Sequence, residues 1–225
     1  MIWSDWCPIY ERILEDFGFD SDADERARDV LAELVGEFDC DELPDLDGAT
    51  AAVAGAAPTL EDDVEIAREA DAVVAASTAA DRLADRGVGV DLVVTDLDGR
   101  PAAAVEFSRA GTPVAVHAHG DNVPALREYV PQFDERYLLP TTQAEPTGPV
   151  RNPGGFTDGD RAAYLADELG AARLTFPGWN FDDPAVGELK RQKLRWAERL
   201  LSRLERERDE RFDVLDGRRE GIERI

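Results

Sequence analysis

Leu92-Val93-Val94-Thr95-Asp96-Leu97-Asp98-Gly99 is a short apolar run that closes on two acids and a glycine. The run is unbroken rather than alternating, which is the pattern of a strand buried on both faces. Five more runs share this character: Thr50–Ala54, Ala72–Ala76, Pro113–His117, Tyr137–Pro140 and Arg173–Phe176. Helical patterns lie between several of them, near 60–69, 78–86, 101–110, 122–130 and 159–169. Short apolar runs alternating with helices predict an α/β fold, Rossmann-like, with a mostly parallel sheet covered by helices on both faces. Ligands of such sheets collect at the carboxyl ends of the strands. The residues just after each run are therefore the candidates for chemistry.

Outside this alternation the pattern changes. Trp3, Trp6, Ile9, Ile13, Leu14 and Phe17 recur at helical spacing, as do Ala27, Val30, Leu31, Leu34, Val35 and Phe38. Two N-terminal amphipathic helices follow, packed on the main domain, and their aromatics read as packing. Residues 184–211 form a long charged helix with a stripe of Leu189, Lys193, Trp196, Leu200, Leu201 and Leu204. The last dozen residues are expected to fray. The organisation expected is a helical segment over 1–48, an α/β catalytic core over 49–183, and a helix with tail over 184–225.

Composition narrows the classes. Of 225 residues 43% are hydrophobic, enough for a core, while the net charge is −24. Acid is spread along the chain, with segments 15–47 and 205–213 especially rich, and Lys190 and Lys193 are the only lysines among 25 basic residues. Spread acid on a folded chain is the pattern of a halophilic protein, because self-repulsion is screened when the Debye length falls to about 3 Å at 1 M salt. An unfolding midpoint that rises with KCl is expected. The charge excludes general nucleic-acid binding, which needs a basic stripe. No apolar run is long enough to span a bilayer, and Met1–Asp5 has neither a basic start nor an apolar segment after it, so no signal peptide is expected. Cys7 and Cys40 are isolated, which fits a reducing cytoplasm.

Five constellations lie on the expected rim. Gly55-Ala56-Ala57-Pro58-Thr59-Leu60 turns from strand to helix with Thr59 as candidate N-cap, a geometry that offers N–H groups to an anion, though no P-loop lysine follows. Asp96 and Asp98 are hard oxygen ligands suited to Mg²⁺ and phosphate; as a plain Asp-Leu-Asp-Gly turn they would need no metal. His117 and His119 are the only histidines and point the same way on an extended segment. With Asp121 they could form a transition-metal site, but structural or phosphate-contact roles rank ahead of zinc, and Asn122 lies beside them. Gly155-Phe156-Thr157-Asp158-Gly159-Asp160-Arg161 opens a helix with Thr157 or Asp158 as cap, and a capping acid can also face a metal. Thr141-Thr142-Gln143 and Phe176-Pro177-Gly178-Trp179-Asn180 follow strands; Trp179 or Phe156 could stack on a heterocycle or simply pack.

Ala75-Ala76-Ser77-Thr78-Ala79-Ala80-Asp81-Arg82-Leu83, followed by Gly87 to Asp98, resembles the core of thiamine pyrophosphokinases. Their strand closing on Asp-Phe-Asp and their later Thr-Asp correspond to Thr95–Asp98 and Thr157-Asp158. The Asp-Gly usual after their alanine-rich strand is replaced here by Ser77-Thr78. A closer resemblance is to the archaeal 6-hydroxymethyl-7,8-dihydropterin pyrophosphokinase family. It is carried by Gly55–Leu60, Thr95–Asp98, His117–Asn122, Gly155–Arg161 and Phe176-Pro177-Gly178, and it covers roughly residues 1–205. One departure is Gly55-Ala56-Ala57-Pro58, where that family usually has a second glycine before the proline.

This resemblance implies diphosphate transfer from ATP to a dihydropterin, giving AMP and a pterin diphosphate on the way to folate or tetrahydromethanopterin. Asp96, Asp98 and Asp158 would hold Mg²⁺, with Asp121 a weaker candidate. The general base would be one of these acids or His119. Arg161 would offset phosphate charge. Gly55, Pro58, Thr59, Ser77, Thr78, His117, Asp121, Asn122, Thr141, Gln143, Gly155, Phe156, Thr157 and Trp179 would line the ATP and pterin sites. ATP and the pterin are the partners expected, with no nucleic acid and no membrane, and the sequence leaves a homo-oligomer open. The rival readings are a metal-dependent phosphohydrolase, diphosphate transfer to thiamine, and a nucleotide-binding module without turnover.

Overall fold

Unbroken valine and alanine runs bury both faces, and all six expected runs are strands. The computed structural model describes all 225 residues. In chain order the strands are β1 (Thr50–Ala54), β2 (Ala72–Ala76), β3 (Leu92–Thr95), β4 (Val114–Ala118), β5 (Leu138–Thr142) and β6 (Arg173–Thr175). The helices are α1 (Trp3–Phe17), α2 (Ser21–Leu34), α3 (Val64–Glu69), α4 (Ala79–Ala84), α5 (Pro101–Arg109), α6 (Val123–Tyr129), α7 (Asp158–Glu168) and α8 (Glu188–Glu207). They fall into two units, residues 1–44 with 91–154 and residues 45–90 with 155–225.

In the first unit β5, β4 and β3 lie side by side, all parallel. The register sets Thr95 opposite Val116, and His117 opposite Thr141, so the carboxyl ends of the three strands form one rim. Trp6, Ile9 and Ile13 of α1 and Ala27 and Leu31 of α2 are buried, as their spacing requires. Helix α2 packs on β4, β5 and α6, which brings the acid-rich N-terminal segment to this rim.

In the second unit the order is β2-β1-β6, again parallel, with Ala51 opposite Ala72 and Thr50 opposite Arg173. Helix α7 packs on β1 and β2 and is covered by α8, where Tyr164 Oη donates to Leu200 O at 3.2 Å. Trp196, Leu200, Leu201 and Leu204 of the α8 stripe are buried, but Leu189 at its start is exposed. The tail is not frayed. Phe212 and Leu215 are fully buried, Arg218 pairs with Asp182 and Glu198, and Arg219 with Glu205 and Asp216. Two apolar anchors and four ion pairs hold a segment whose polarity alone suggested a free end. Parallel strands, crossover helices and flanking layers make the chain α/β of the Rossmann-like kind, and no helix is long and apolar enough to cross a membrane.

Candidate active site

Strand β3 delivers Asp96 and Asp98 to its rim through a tight turn. Thr95 Oγ1 accepts the Leu97 N–H at 3.0 Å, and Asp96 Oδ1 accepts the Asp98 N–H at 3.0 Å. Leu97 is buried and holds a left-handed φ of 67°, a conformation that costs a branched-free residue about 1 kcal/mol. Its burial turns the two acids outward: Asp96 is half-buried, Asp98 exposed, and a carboxylate oxygen of each lies within 4.8 Å of the other.

The turn after β4 braces this pair. Asn122 donates to Asp96 O at 2.8 Å and to His117 O at 2.6 Å, and its Oδ1 accepts the His119 N–H at 3.1 Å. His119 Nε2 stands 3.3 Å from Asp96 Oδ2. His117 is fully buried with Nδ1 3.2 Å from Thr141 Oγ1; since that hydroxyl donates to Val116 O at 3.1 Å, it accepts from the imidazole. Asp121 is exposed, and His117, His119 and Asp121 do not form a three-ligand group. Gln143, 5% exposed, donates through Nε2 to Asp24 Oδ2 at 2.7 Å, and its backbone O accepts from Trp6 Nε1 at 2.8 Å.

In the second unit the glycine loop after β1 meets the loop after β6. Gly55 N donates to Pro177 O at 2.9 Å and Ala57 N to Gly178 O at 3.0 Å; a Cβ on Gly55 would come within 2.6 Å of Gly178 O. Glycine is required here because two backbones touch. Pro58 opens a 3-10 turn, Pro58–Glu61, whose N-cap is Ala57. Thr59 thus lies inside the turn and is not the cap expected of it, since proline takes the first helical position. Arg82 of α4 holds this loop, reaching Ala56 O at 2.6 Å, Ala57 O at 2.9 Å and Glu61 Oε1 at 2.8 Å; its guanidinium lowers the Glu61 carboxyl. Half-buried Ser77 and Thr78 lie between β2 and α4, Ser77 at φ 50°.

Thr157 is the N-cap of α7, and Asp160 closes the capping box. Asp160 accepts from the Phe156 N–H, from the Thr157 N–H at 3.0 Å and from Thr157 Oγ1 at 2.5 Å. It is fully buried; desolvation pushes its carboxyl up, opposed by these donors and by Arg161. Arg161 is 2% exposed, donating to Asp158 Oδ1 at 3.0 Å and to Phe156 O at 3.0 Å. It forms an i,i+3 ion pair with half-buried Asp158. Gly155 and Gly159 are tight contacts: a Cβ on the first would lie 2.4 Å from Arg161 Cα, and one on the second 2.8 Å from the Trp179 ring. Trp179 donates from Nε1 to Val53 O at 2.9 Å, so its ring packs on the first turn of α7. Tyr10 has no motif around it, and Arg82 lies in the Ala75–Leu83 stretch without being singled out there; for Asp24 the signal is its helical spacing from Ala27 and Leu31.

Fold and rim define an α/β protein whose acids cluster after its strands, with oxygen donors suited to a hard cation. The chain belongs to the 6-hydroxymethylpterin diphosphokinase MptE-like family, whose model matches residues 28–185. It is 39% identical over 231 residues to the 6-hydroxymethyl-7,8-dihydropterin pyrophosphokinase of Methanothermobacter thermautotrophicus, covering 94% of this chain and 97% of the relative. It is 38% identical to the Pyrococcus furiosus protein of the same name, with coverages of 89% and 93%, and 31% identical to that of Methanocaldococcus jannaschii, with coverages of 91% and 96%.

Proposed function

We propose that the protein transfers diphosphate from ATP to 6-hydroxymethyl-7,8-dihydropterin. The observation that carries this reading is similarity along nearly the whole chain to relatives of that name. The hydroxymethyl oxygen attacks the β-phosphorus of ATP, the bond from that phosphorus to the α,β-bridging oxygen breaks, and AMP leaves with the bridging oxygen. The hydroxyl proton passes to His119. Asp96, Asp98 and Asp158 would hold Mg²⁺; each can offer one carboxylate oxygen, and the group contains no thiol or imidazole, which fits a hard cation. Bound there, Mg²⁺ would clamp adjacent phosphates and offset charge at the transferred group. Arg161 fixes the Asp158 carboxylate, and Asn122 with His119 fixes Asp96. Gly55 and Ala57 spend their N–H groups on Pro177 O and Gly178 O, so the loop would offer phosphate the Ala56 N–H, and the Trp179 and Phe156 rings lie near the nucleotide or the pterin.

The test is an assay with ATP, Mg²⁺ and each acceptor, following AMP and free phosphate in dilute and molar KCl. AMP formed only with the pterin supports the reading. AMP with thiamine instead, phosphate without any acceptor, or no turnover in either salt overturns it.

A further inference from the structure

Asp24 is a carboxylate buried at 4% exposure in an acid-rich helix. It accepts three hydrogen bonds: from the Gly120 N–H at 2.7 Å to Oδ1, and from Gln143 Nε2 at 2.7 Å and Tyr10 Oη at 3.0 Å to Oδ2. Burial and this carboxylate together push the Tyr10 hydroxyl well up, so tyrosine stays a donor. An ionised carboxylate only accepts, which makes it the one small side chain that satisfies three donors at once. Asp24 is not needed to start its helix, because Asp20 caps α2 by accepting the Asp22 N–H. Nor is a buried charge an efficient way to gain stability, since an apolar group of similar volume often serves as well.

What Asp24 holds is the turn after β4. Gly120 lies so close to α2 that a Cβ on it would come within 2.7 Å of Ala23 Cβ. The residue before Gly120 is His119, whose Nε2 meets Asp96 Oδ2; two residues after it is Asn122, which holds Asp96 O. One end of the turn is thus pinned to α2 and the other fixes Asp96. We infer that Asp24 is a positioning residue, which sets the Asp96 carboxylate through Gly120, His119 and Asn122. The N-terminal helices then belong to the working part of the molecule, since the α2 acid and the rim acid are joined through a single turn. The inference rests on the proposed transfer for its kinetic arm alone.

Asp24→Asn keeps the size but turns an amide N–H₂ toward donors. Gly120→Ala pushes the turn off α2 without touching a charge. Tyr10→Phe removes the third donor and leaves the turn pinned. Outer partners of this kind are worth about 10- to 100-fold in activity. We expect Asp24→Asn and Gly120→Ala to lower kcat by that range with a smaller change in KM, and Tyr10→Phe to lower only the melting temperature. In a His119→Ala background the kcat loss from Asp24→Asn should largely vanish, because the two changes act through one path. The second readout needs no substrate. With only two histidines in the chain, the His119 ring resonances are resolved by NMR, and they should move in Asp24→Asn and Gly120→Ala but not in Tyr10→Phe. A folded Asp24→Asn protein with wild-type kcat and unmoved His119 resonances overturns the inference. So does a kcat loss that adds fully to that of His119→Ala. If Asp24→Asn does not fold, Gly120→Ala decides by the same two readouts. If the wild type makes no AMP with the pterin, the functional reading fails and the spectra still decide this one.

Discussion

Thr95-Asp96-Leu97-Asp98 and Thr157-Asp158-Gly159-Asp160 share a pattern of Thr-Asp-x-Asp, yet the two turns spend their acids differently. In the first, Leu97 goes inward and both acids face out, with Asp98 exposed. In the second, Asp160 goes inward, and three donors from Phe156 and Thr157 hold it as part of a helix cap. Only Asp158 is left outside the cap, and Arg161 pairs with it. The middle residue follows from this choice. Leu97 anchors the first turn in the core, while Gly159 must be bare because the Trp179 ring lies against it. Identical spacing therefore gives two outward acids where a strand ends and one where a helix begins.

The largest test of this contrast is turnover. Asp96→Asn, Asp98→Asn and Asp158→Asn each keep size and hydrogen bonding but remove ligand charge. Each is expected to lower AMP formation about 100- to 1,000-fold, the scale of one lost electrostatic contact to the transition state, while melting temperatures stay near that of the wild type. Near-normal turnover in Asp96→Asn and Asp98→Asn would sink the metal assignment.

Stability separates the second acids of the two turns. Asp160→Ala strands three donors in a buried place, at about 2–4 kcal/mol. Asp98→Ala sits on the surface and should change stability by about 0.5 kcal/mol or less. Denaturant midpoints measured side by side check this, and equal losses would mean that the two turns are alike after all.

The middle residues come next. Gly159→Ala forces a methyl group against Trp179 and should cost about 1–3 kcal/mol. Leu97→Gly removes a buried side chain but relieves a left-handed backbone, so its net cost should be about 1–2 kcal/mol. A stabilised Gly159→Ala protein would show that the ring moves away freely.

The contrast also marks what was legible. Strands β1, β2 and β3 match the apolar runs residue for residue, because a doubly buried strand needs an unbroken run. Strands β4 and β5 begin just after Pro113 and Tyr137 and extend past their runs to Ala118 and Thr142, because pairing between the two strands, rather than apolarity, carries the ladder on to that point. The place of Asp96 and Asp98 was legible because they follow an unbroken apolar run directly, and a parallel strand delivers such residues to its carboxyl rim. Arg161 reads as a phosphate partner, and its i,i+3 spacing from Asp158 also allows the ion pair seen between them. Asp24 was hidden by its own neighbourhood: one buried acid among the many acids of 15–47 looks like part of a solvated face. Its helical spacing from Ala27 and Leu31 puts it on the buried face of α2, where Asp22 and Glu25 are not; the contacts to Gly120 and Gln143 show what it does there.

The smallest expected effect concerns the two threonines, and it is the most selective. Thr95 Oγ1 accepts the Leu97 N–H, the bond that shapes the turn between Asp96 and Asp98. Thr157 Oγ1 accepts the Asp160 N–H in the capping box and donates to the Asp160 carboxylate, which also accepts two backbone N–H groups without its help. Thr→Val keeps the shape and removes the hydroxyl at either place, at about 0.5–1.5 kcal/mol of stability each. The consequences for turnover should diverge. Thr95→Val leaves the buried Leu97 N–H without its acceptor, so the turn relaxes and the spacing of Asp96 and Asp98 with it; kcat should fall several-fold. Thr157→Val weakens the cap, but Asp158 keeps its bond from Arg161, itself buried and bonded to Phe156 O. Its kcat should stay near that of the wild type while its melting temperature drops by a few degrees. Both parameters can be read from one pair of proteins. If Thr157→Val loses kcat as Thr95→Val does, then the cap rather than Arg161 sets the Asp158 carboxylate, and the division of labour between the two turns is wrong at that point.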